Sequence, residues 1–444
     1  MRITMDNAIE ILVYWIGQIF GNPGIFYAII AALGLILLKE KTERIISGAM
    51  RTYIGFFILL LGATSLTSVI SPVREWTLAL LGVEGIIPQN WLIFSKAMTD
   101  YGTWVGIVGL LGFLLNLLLA RFTKLKGVYL TGHIILIWAS YFVGVPAYYK
   151  FPAWLTITLA SIALGLYLWL HASLTYFVMK PGTRGAERIT SEWSMGIGEA
   201  FGILTTSWLS QKVGKWEENA EEMAVSERWA WLKDPMLGVS FFSTFLFLIL
   251  GFAAAAKAGP GIVQKSAGSM NWFLFLLLQG LGFGASLAAL LYGVRMLVAE
   301  LVPAFRGIAE KIVPGGVAGL DYPTIFPYGP TSLFLGFVSN FIGGILATIV
   351  MVLIRYPVIV LPAIWMNFWT GAVLGIFANA YGGRRAAIIV PFIWGFIAPF
   401  FWGLAYPLSG IFQEIGATQD YTDYVLIGPL YGGLVKMLAS MFGS

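Results

Sequence analysis

The chain has 444 residues, 58% of them hydrophobic and only 11% charged, with a net charge of +5 and a mean hydropathy of +0.82. A soluble domain carries about 25% charged residues, so this chain lacks the charge to cover a water-facing surface, and soluble enzymes and nucleic-acid binders are excluded. Without Cys there is no disulfide or thiolate metal site in this sequence, and two His, His133 and His171, cannot build a histidine-rich metal centre; neither metal nor cofactor is expected.

The N-terminal stretch MRITMDNAIEILVYW carries Asp6 and Glu10 where a signal peptide needs an apolar core, and reads as a retained helix with amphipathic character. A membrane-crossing helix takes about 20 apolar residues. Candidate spans in the first half are Gly24–Leu38, Tyr53–Ser71, Trp104–Ala120, Val128–Ala147 and Pro152–Val178. In the second half they are Leu237–Ala256, Trp272–Val294, Thr331–Ile354, Val358–Ala378, Ala386–Tyr406 and Leu426–Met441. The expected fold is therefore an all-α, multi-pass protein of the plasma membrane with about 11 crossings. The basic clusters Lys39/Lys41/Arg44/Arg51, Arg121/Lys124/Lys126 and Arg384/Arg385 are expected on its cytoplasmic side.

Two interruptions stand out. Between Lys180 and Pro235 lies the longest polar region, an exposed charged connector that also holds the apolar stretch Ser194–Leu209 around a single acid, Glu199. Met296–Val313 is helix-like but too polar to face lipid, and the Gly- and Pro-rich GGVAGLDYPTIFPYGP follows it. Irregular backbone at membrane depth is tolerated only where protein or a cavity surrounds it, so both interruptions read as re-entrant hairpins, although an extramembrane loop would also accommodate the second. Two segment pairs look repeated. RFTKLKGVYLTGHIILIWASYF resembles YGGRRAAIIVPFIWGFIAPFF, and GFFILLLGATSLTSVISPV with GVEGIIPQN parallels VRMLVAELVPAFRGIAEKIVPGGVAGLDYP. Repeated halves with broken segments at matching positions point to a secondary-transporter architecture. The division expected is a first half at 1–178, a connector at 179–235, a second half at 236–425 and a C-terminal helix at 426–444.

Ionisable groups inside a membrane are costly and are functional candidates by default. Asp321, in the second break, could accept hydrogen bonds from the hydroxyls of a polar solute; the plainer alternative is a turn-forming Asp bonded to its own backbone. Glu199 follows Gly196-Ile197-Gly198, whose glycines permit close approach or a sharp turn. It is either a ligand contact or a helix-start acid favoured by the macrodipole. His133, after Thr131-Gly132, is a candidate contact or a core histidine. His171, Gln279, Asn340 and Asn367 fit interhelical hydrogen bonds, and Gly280-xxx-Gly284 fits close helix approach. No phosphate-cradling, zinc-protease or nucleophile-elbow motif occurs.

The stretches VRMLVAELVPAFRGIAEKIVPGGVAGLDYP, LGIFANAYGGRRAA, YLTGHI and MKPG…MGIGEAFG resemble, in collinear order, the ascorbate-type EIIC family of bacterial phosphotransferase systems, the SgaT/UlaA group. That resemblance implies a homodimeric carrier of two inverted repeats, split into a scaffold and a moving substrate domain that works as an elevator. It implies a small polyhydroxylated sugar or sugar-acid as solute, phosphorylated by a separate EIIB supplied by EIIA; a chain without Cys cannot accept phosphoryl groups as EIIB does. Asp321, His133 and Gly62 match family pocket positions. Asn90-Trp91 replaces a Thr-Tyr pair, Ala63 a serine, Ile137 a glutamine, and Glu199-Ala200 a His-Gln pair. The substitutions remove donors and add a carboxylate, which disfavours an ascorbate anion in the same pose. A proton-coupled or facilitative transporter of the same fold is the alternative, with Glu199 as the coupling group. A membrane-embedded glycosyltransferase is disfavoured, since no clustered acids or large extramembrane domain are visible.

Overall fold

The computed structural model describes residues 22–82, 85–179, 193–223, 231 and 235–442. The expected N-terminal helix and parts of the polar connector lie outside them. The first helix, α1 (Pro23–Leu37), starts where Asn22 caps it by accepting from the Ile25 N–H at 3.1 Å. There follow α2 (Thr42–Ile70), α3 (Pro72–Leu81), β1 (Gly85–Pro88), α4 (Asn90–Phe122, broken at Tyr101), β2 (Gly127–Tyr129), α5 (Gly132–Tyr148) and α6 (Ala153–Met179). After the connector come β3 (Trp193–Met195), α7 (Ala200–Val213), α8 (Pro235–Ala258), α9 (Gly261–Ala267), α10 (Trp272–Ile312) and β4 (Val317–Leu320). Two 3₁₀ turns, Tyr322–Thr324 and Phe326–Tyr328, lead to α11 (Pro330–Leu353), β5 (Ile359–Val360), α12 (Ile364–Ala405), β6 (Ala417–Thr418) and α13 (Tyr424–Phe442).

Among the described residues, 7 helices are long and apolar enough to cross a membrane, so the polytopic expectation stands. Side chains such as Phe245 and Ile249 on α8, and Ile349 and Leu353 on α11, face outward, as a hydrocarbon solvent permits. The candidate Val358–Ala378 begins with β5 and continues into α12, which also holds nearly all of Ala386–Tyr406 and breaks at Gly382 and at Gly383 with φ 66°. The polar run at Met296–Val313 lies almost wholly within α10, where Glu300 pairs with Arg44 and Arg51 of α2.

The all-α expectation needs one correction. Six strands of two to four residues form two three-stranded parallel sheets, ordered β5-β1-β6 and β2-β4-β3. In the first, Gly85 stands opposite Ile359 and Ile87 opposite Ala417; in the second, Gly127 stands opposite Val317 and Trp193 opposite Ala318. Each central strand belongs to one half of the chain and both of its neighbours to the other half. The physical reason for the strands is the one that makes helices: a chain turning inside a low-dielectric protein must satisfy its N–H and C=O groups. Here the partners are distant segments, as where Leu130 N–H donates to Gly319 O and Gly196 N–H to Leu320 O.

The helices pack as two groups. In one, α10 lies on α2, α1 and α8; in the other, α11 lies on α12, α12 on α7, and α4 on α5 and α6. Buried amides stitch helices together as expected: Asn340 Nδ2 donates to Pro391 O at 2.8 Å, Asn367 Nδ2 to Asn340 Oδ1 at 2.6 Å and Gln279 Nε2 to Val69 O at 3.3 Å.

Candidate functional site

Among the described residues, all six strands place just beyond their carboxyl ends side chains that line or back one cavity. After β4, Asp321 caps the following 3₁₀ turn, its Oδ1 accepting from the Tyr322 N–H at 2.7 Å. The turn-forming role of this Asp is thus real, but it uses one oxygen. The other, Oδ2, faces His133 Nε2 at 3.8 Å, beyond direct hydrogen-bond range. His133 stands near the start of α5 and lies flat against Trp91, with ring centroids 6.1 Å apart and planes within 7°. Trp91 and Asn90 open α4, which Gln89 caps by accepting from the Trp91 N–H. Asn90 is held from two sides: its N–H donates to Asp420 Oδ2 at 3.1 Å and its Nδ2 to the Tyr421 hydroxyl at 2.8 Å.

These residues converge on a tight cavity of about 30 Å³, room for about one or two waters, lined by Asn90, Trp91, His133, Ile134, Ile137, Asp321, Tyr322, Trp365, Met366, Trp369 and Tyr421. Its mix of apolar walls with a few convergent polar groups is that of a small-molecule site, and a sugar-sized solute enters only when those walls part. Asp321 is buried within the protein. Among the described residues no Lys or Arg lines the space, and α4, α5 and α12 present their amino-terminal turns to it. The walls accordingly offer one carboxylate, one imidazole, one amide, two phenols and three indoles.

Four of the six expected site residues, Asp321, His133, Asn90 and Trp91, meet there. Glu199 stands behind the wall: it is fully buried at the start of α7 and makes no side-chain cap bond to that helix. Its Oε1 accepts from the Tyr322 hydroxyl at 3.2 Å and the Thr370 hydroxyl at 2.7 Å; its Oε2 accepts from the Thr422 N–H at 3.1 Å and the Thr422 hydroxyl. The glycines before it admit protein, not solute. A Cβ at Gly196 would lie 2.5 Å from Gly319 O, and one at Gly198 2.2 Å from the Tyr421 ring. Gly62 is buried on α2, in the other helix group, and is not brought to this cavity. His171 pairs instead with Asp423, 3.2 Å away, which also accepts from the Tyr167 hydroxyl and the Phe201 N–H.

Sequence reasoning missed Trp365, Trp369, Tyr322 and Tyr421. A Trp inside an apolar helix carries no signal of its own. The available signal was register: His133 follows β2 by as many residues as Trp365 follows the corresponding part of β5.

A second, wider space of about 710 Å³ lies where α1 and α2 face the break in α4, among Tyr53, Phe57, Asp100, Tyr101 and Thr103.

A family described as "PTS system sugar-specific permease component" (EIIC-GAT) matches residues 18–423. A relative described as "Ascorbate-specific PTS system EIIC component", from Mycoplasma pneumoniae, is 28% identical over 447 residues, covering 89% of this chain and 65% of the relative. The chain thus spans less than two thirds of that relative's length.

Proposed function

The chain belongs to the EIIC-GAT family of PTS sugar-specific permease components, and on that premise we propose that it carries a small polyhydroxylated solute, phosphorylated on entry by a separate EIIB that EIIA recharges. With its apolar helices it is a multi-pass protein of the plasma membrane. The observation that carries the proposal is the cavity itself. Asp321 Oδ2 and His133 Nε2 are too far apart to bond directly and close enough for one hydroxyl to bridge them. The indoles of Trp91, Trp365 and Trp369 offer apolar faces to a carbon skeleton. An uncharged sugar or polyol suits this lining better than a sugar acid, because a buried anion needs a cation to offset its desolvation and, among the described residues, no Lys or Arg lines the space. Ascorbate, which the Mycoplasma relative is described as carrying, is the comparison solute.

Strand register supports two inverted repeats. Gly85 is as far from Val317 in sequence as Gly127 is from Ile359, and the same offset sets Asn90 against Tyr322 and His133 against Trp365. This equivalence matches the segment around His133 to β5 and the start of α12, in place of the segment after Tyr381 that composition suggested. The proposed solute site would then lie between the repeats, where carriers bind near the midplane. The group α1–α3 with α8–α10 is the proposed scaffold, the remainder the moving domain of an elevator, and the space beside Tyr101 the gap between them. About 11 crossings follow if the break in α12 separates two spans and α1, α5 and α10 also cross. Assembly is proposed as a homodimer.

The test is uptake of labelled galactitol and L-ascorbate into proteoliposomes, with and without phosphorylated EIIB inside. Uptake that accumulates phosphorylated solute only with EIIB supports the proposal. Rates indifferent to EIIB, but following a proton gradient, would turn the reading to a stand-alone transporter.

A further inference from the structure

We propose that Glu199 is a positioning residue, fixing three walls of the solute cavity at once without touching the solute; this rests on the reading of that cavity as the solute site. The carboxylate is fully buried and its two oxygens receive four hydrogen bonds. Every one of these partners donates to it: the hydroxyls of Tyr322, Thr370 and Thr422, and the Thr422 N–H. The donors are remote in sequence, lying 123, 171 and 223 residues from Glu199. Each is also tied to the lining. Tyr322 lines the cavity itself and follows Asp321; Thr370 follows Trp369; Thr422 follows Tyr421. A single side chain therefore links the turn carrying Asp321, the first turns of α12 and the loop after β6. Four hydrogen bonds drawn from three segments onto one buried side chain form a network, so this junction fixes the spacing of the walls more firmly than any single contact could.

A positioning role makes a prediction that solute contact or proton coupling does not. Glutamine in place of Glu199 keeps an oxygen for the Thr422 N–H and hydroxyl, and its amide can donate to the Tyr322 and Thr370 hydroxyls once these rotate to accept. Glutamine should therefore rescue, and alanine should not. Because the chain has no Cys, a single Ile137→Cys reporter reads the cavity in the full-length protein in proteoliposomes without any solute, with Ser68→Cys on α2 as control. In Glu199→Ala, labelling of position 137 by a small charged thiosulfonate should rise about tenfold, the scale of one lost buried hydrogen bond. Position 68 should be unchanged, and Glu199→Gln should keep the wild-type rate. For galactitol or ascorbate, whichever the wild type carries, half-saturation should rise about tenfold in Glu199→Ala, with maximal rate nearly kept, and stay near normal in Glu199→Gln at every pH. If Glu199→Ala does not reach the membrane, Thr370→Val removes one donor and should move the reporter in the same direction. An unchanged rate at position 137, equal rises at 137 and 68, or a glutamine variant as impaired as alanine would each overturn the proposal. A wild type that carries neither solute would overturn the proposed function while the reporter still decides the role of Glu199.

Discussion

Asp321 and His133 face each other across 3.8 Å, from Oδ2 to Nε2, at the ends of two neighbouring strands of one sheet. The gap is too long for a hydrogen bond and is walled by three indoles, so a hydroxyl placed between the two groups would complete both at once.

Replacing Asp321 by Asn keeps an oxygen to cap the Tyr322 turn, since Asn caps as well as Asp, and removes the charge that would receive a solute hydroxyl. Hydrogen bonds to charged groups contribute roughly 1.5–3 kcal/mol. Half-saturation in uptake should therefore rise about ten- to a hundredfold, with the melting temperature in detergent nearly unchanged. A normal half-saturation value would remove Asp321 from the site.

The indoles give a direct optical reading. Galactitol or ascorbate entering the cavity should change the intrinsic tryptophan fluorescence of the full chain, and Trp369→Phe, which keeps an aromatic wall, should reduce the amplitude while binding persists. Trp369→Ala opens a void in the packing with Phe326 and Tyr322 and should destabilise the fold by roughly 3–5 kcal/mol.

Where α11 meets α12, helix contact depends on absent side chains. A Cβ on Gly395 would lie 1.9 Å from Asn340 O, whereas one on Gly433 of α13 meets nothing within 4 Å. Gly395→Ala should destabilise by about 2 kcal/mol or more, and Gly433→Ala should be neutral or stabilising by up to about 1 kcal/mol. Thermal unfolding in detergent separates the two.

In the other helix group, Glu300 is 4% exposed and paired with both Arg44 and Arg51. Arg51 is 66% exposed and 3.5 Å away, so solvent screens most of its contribution. Arg44→Met should cost roughly 2 kcal/mol by leaving a buried carboxylate under-compensated, and Arg51→Met less than about 1 kcal/mol. Equal effects in thermal melts would show that the pairing is shared.

Much of this was legible in the sequence. Long apolar runs gave most of the helices, because lipid demands them, and a carboxylate in a Gly/Pro break marked Asp321, because an intramembrane charge is hard to place otherwise. The strands were not legible: two to four residues show no alternation, and their partners lie in the opposite half of the chain. Glu199 looked like a contact because its four donors are assembled only by the fold. Gly62 was carried over from a resemblance, and its helix packs elsewhere.

Solute protection of a single cysteine at position 134, on the cavity wall beside His133, bears on the whole reading. In full-length Ile134→Cys, galactitol or ascorbate at saturating uptake concentration should slow labelling at least about tenfold, while Thr103→Cys in the wider space beside Tyr101 is slowed little. Saturable uptake with position 134 unprotected and position 103 shielded would place the solute outside the cavity at Asp321 and contradict the site.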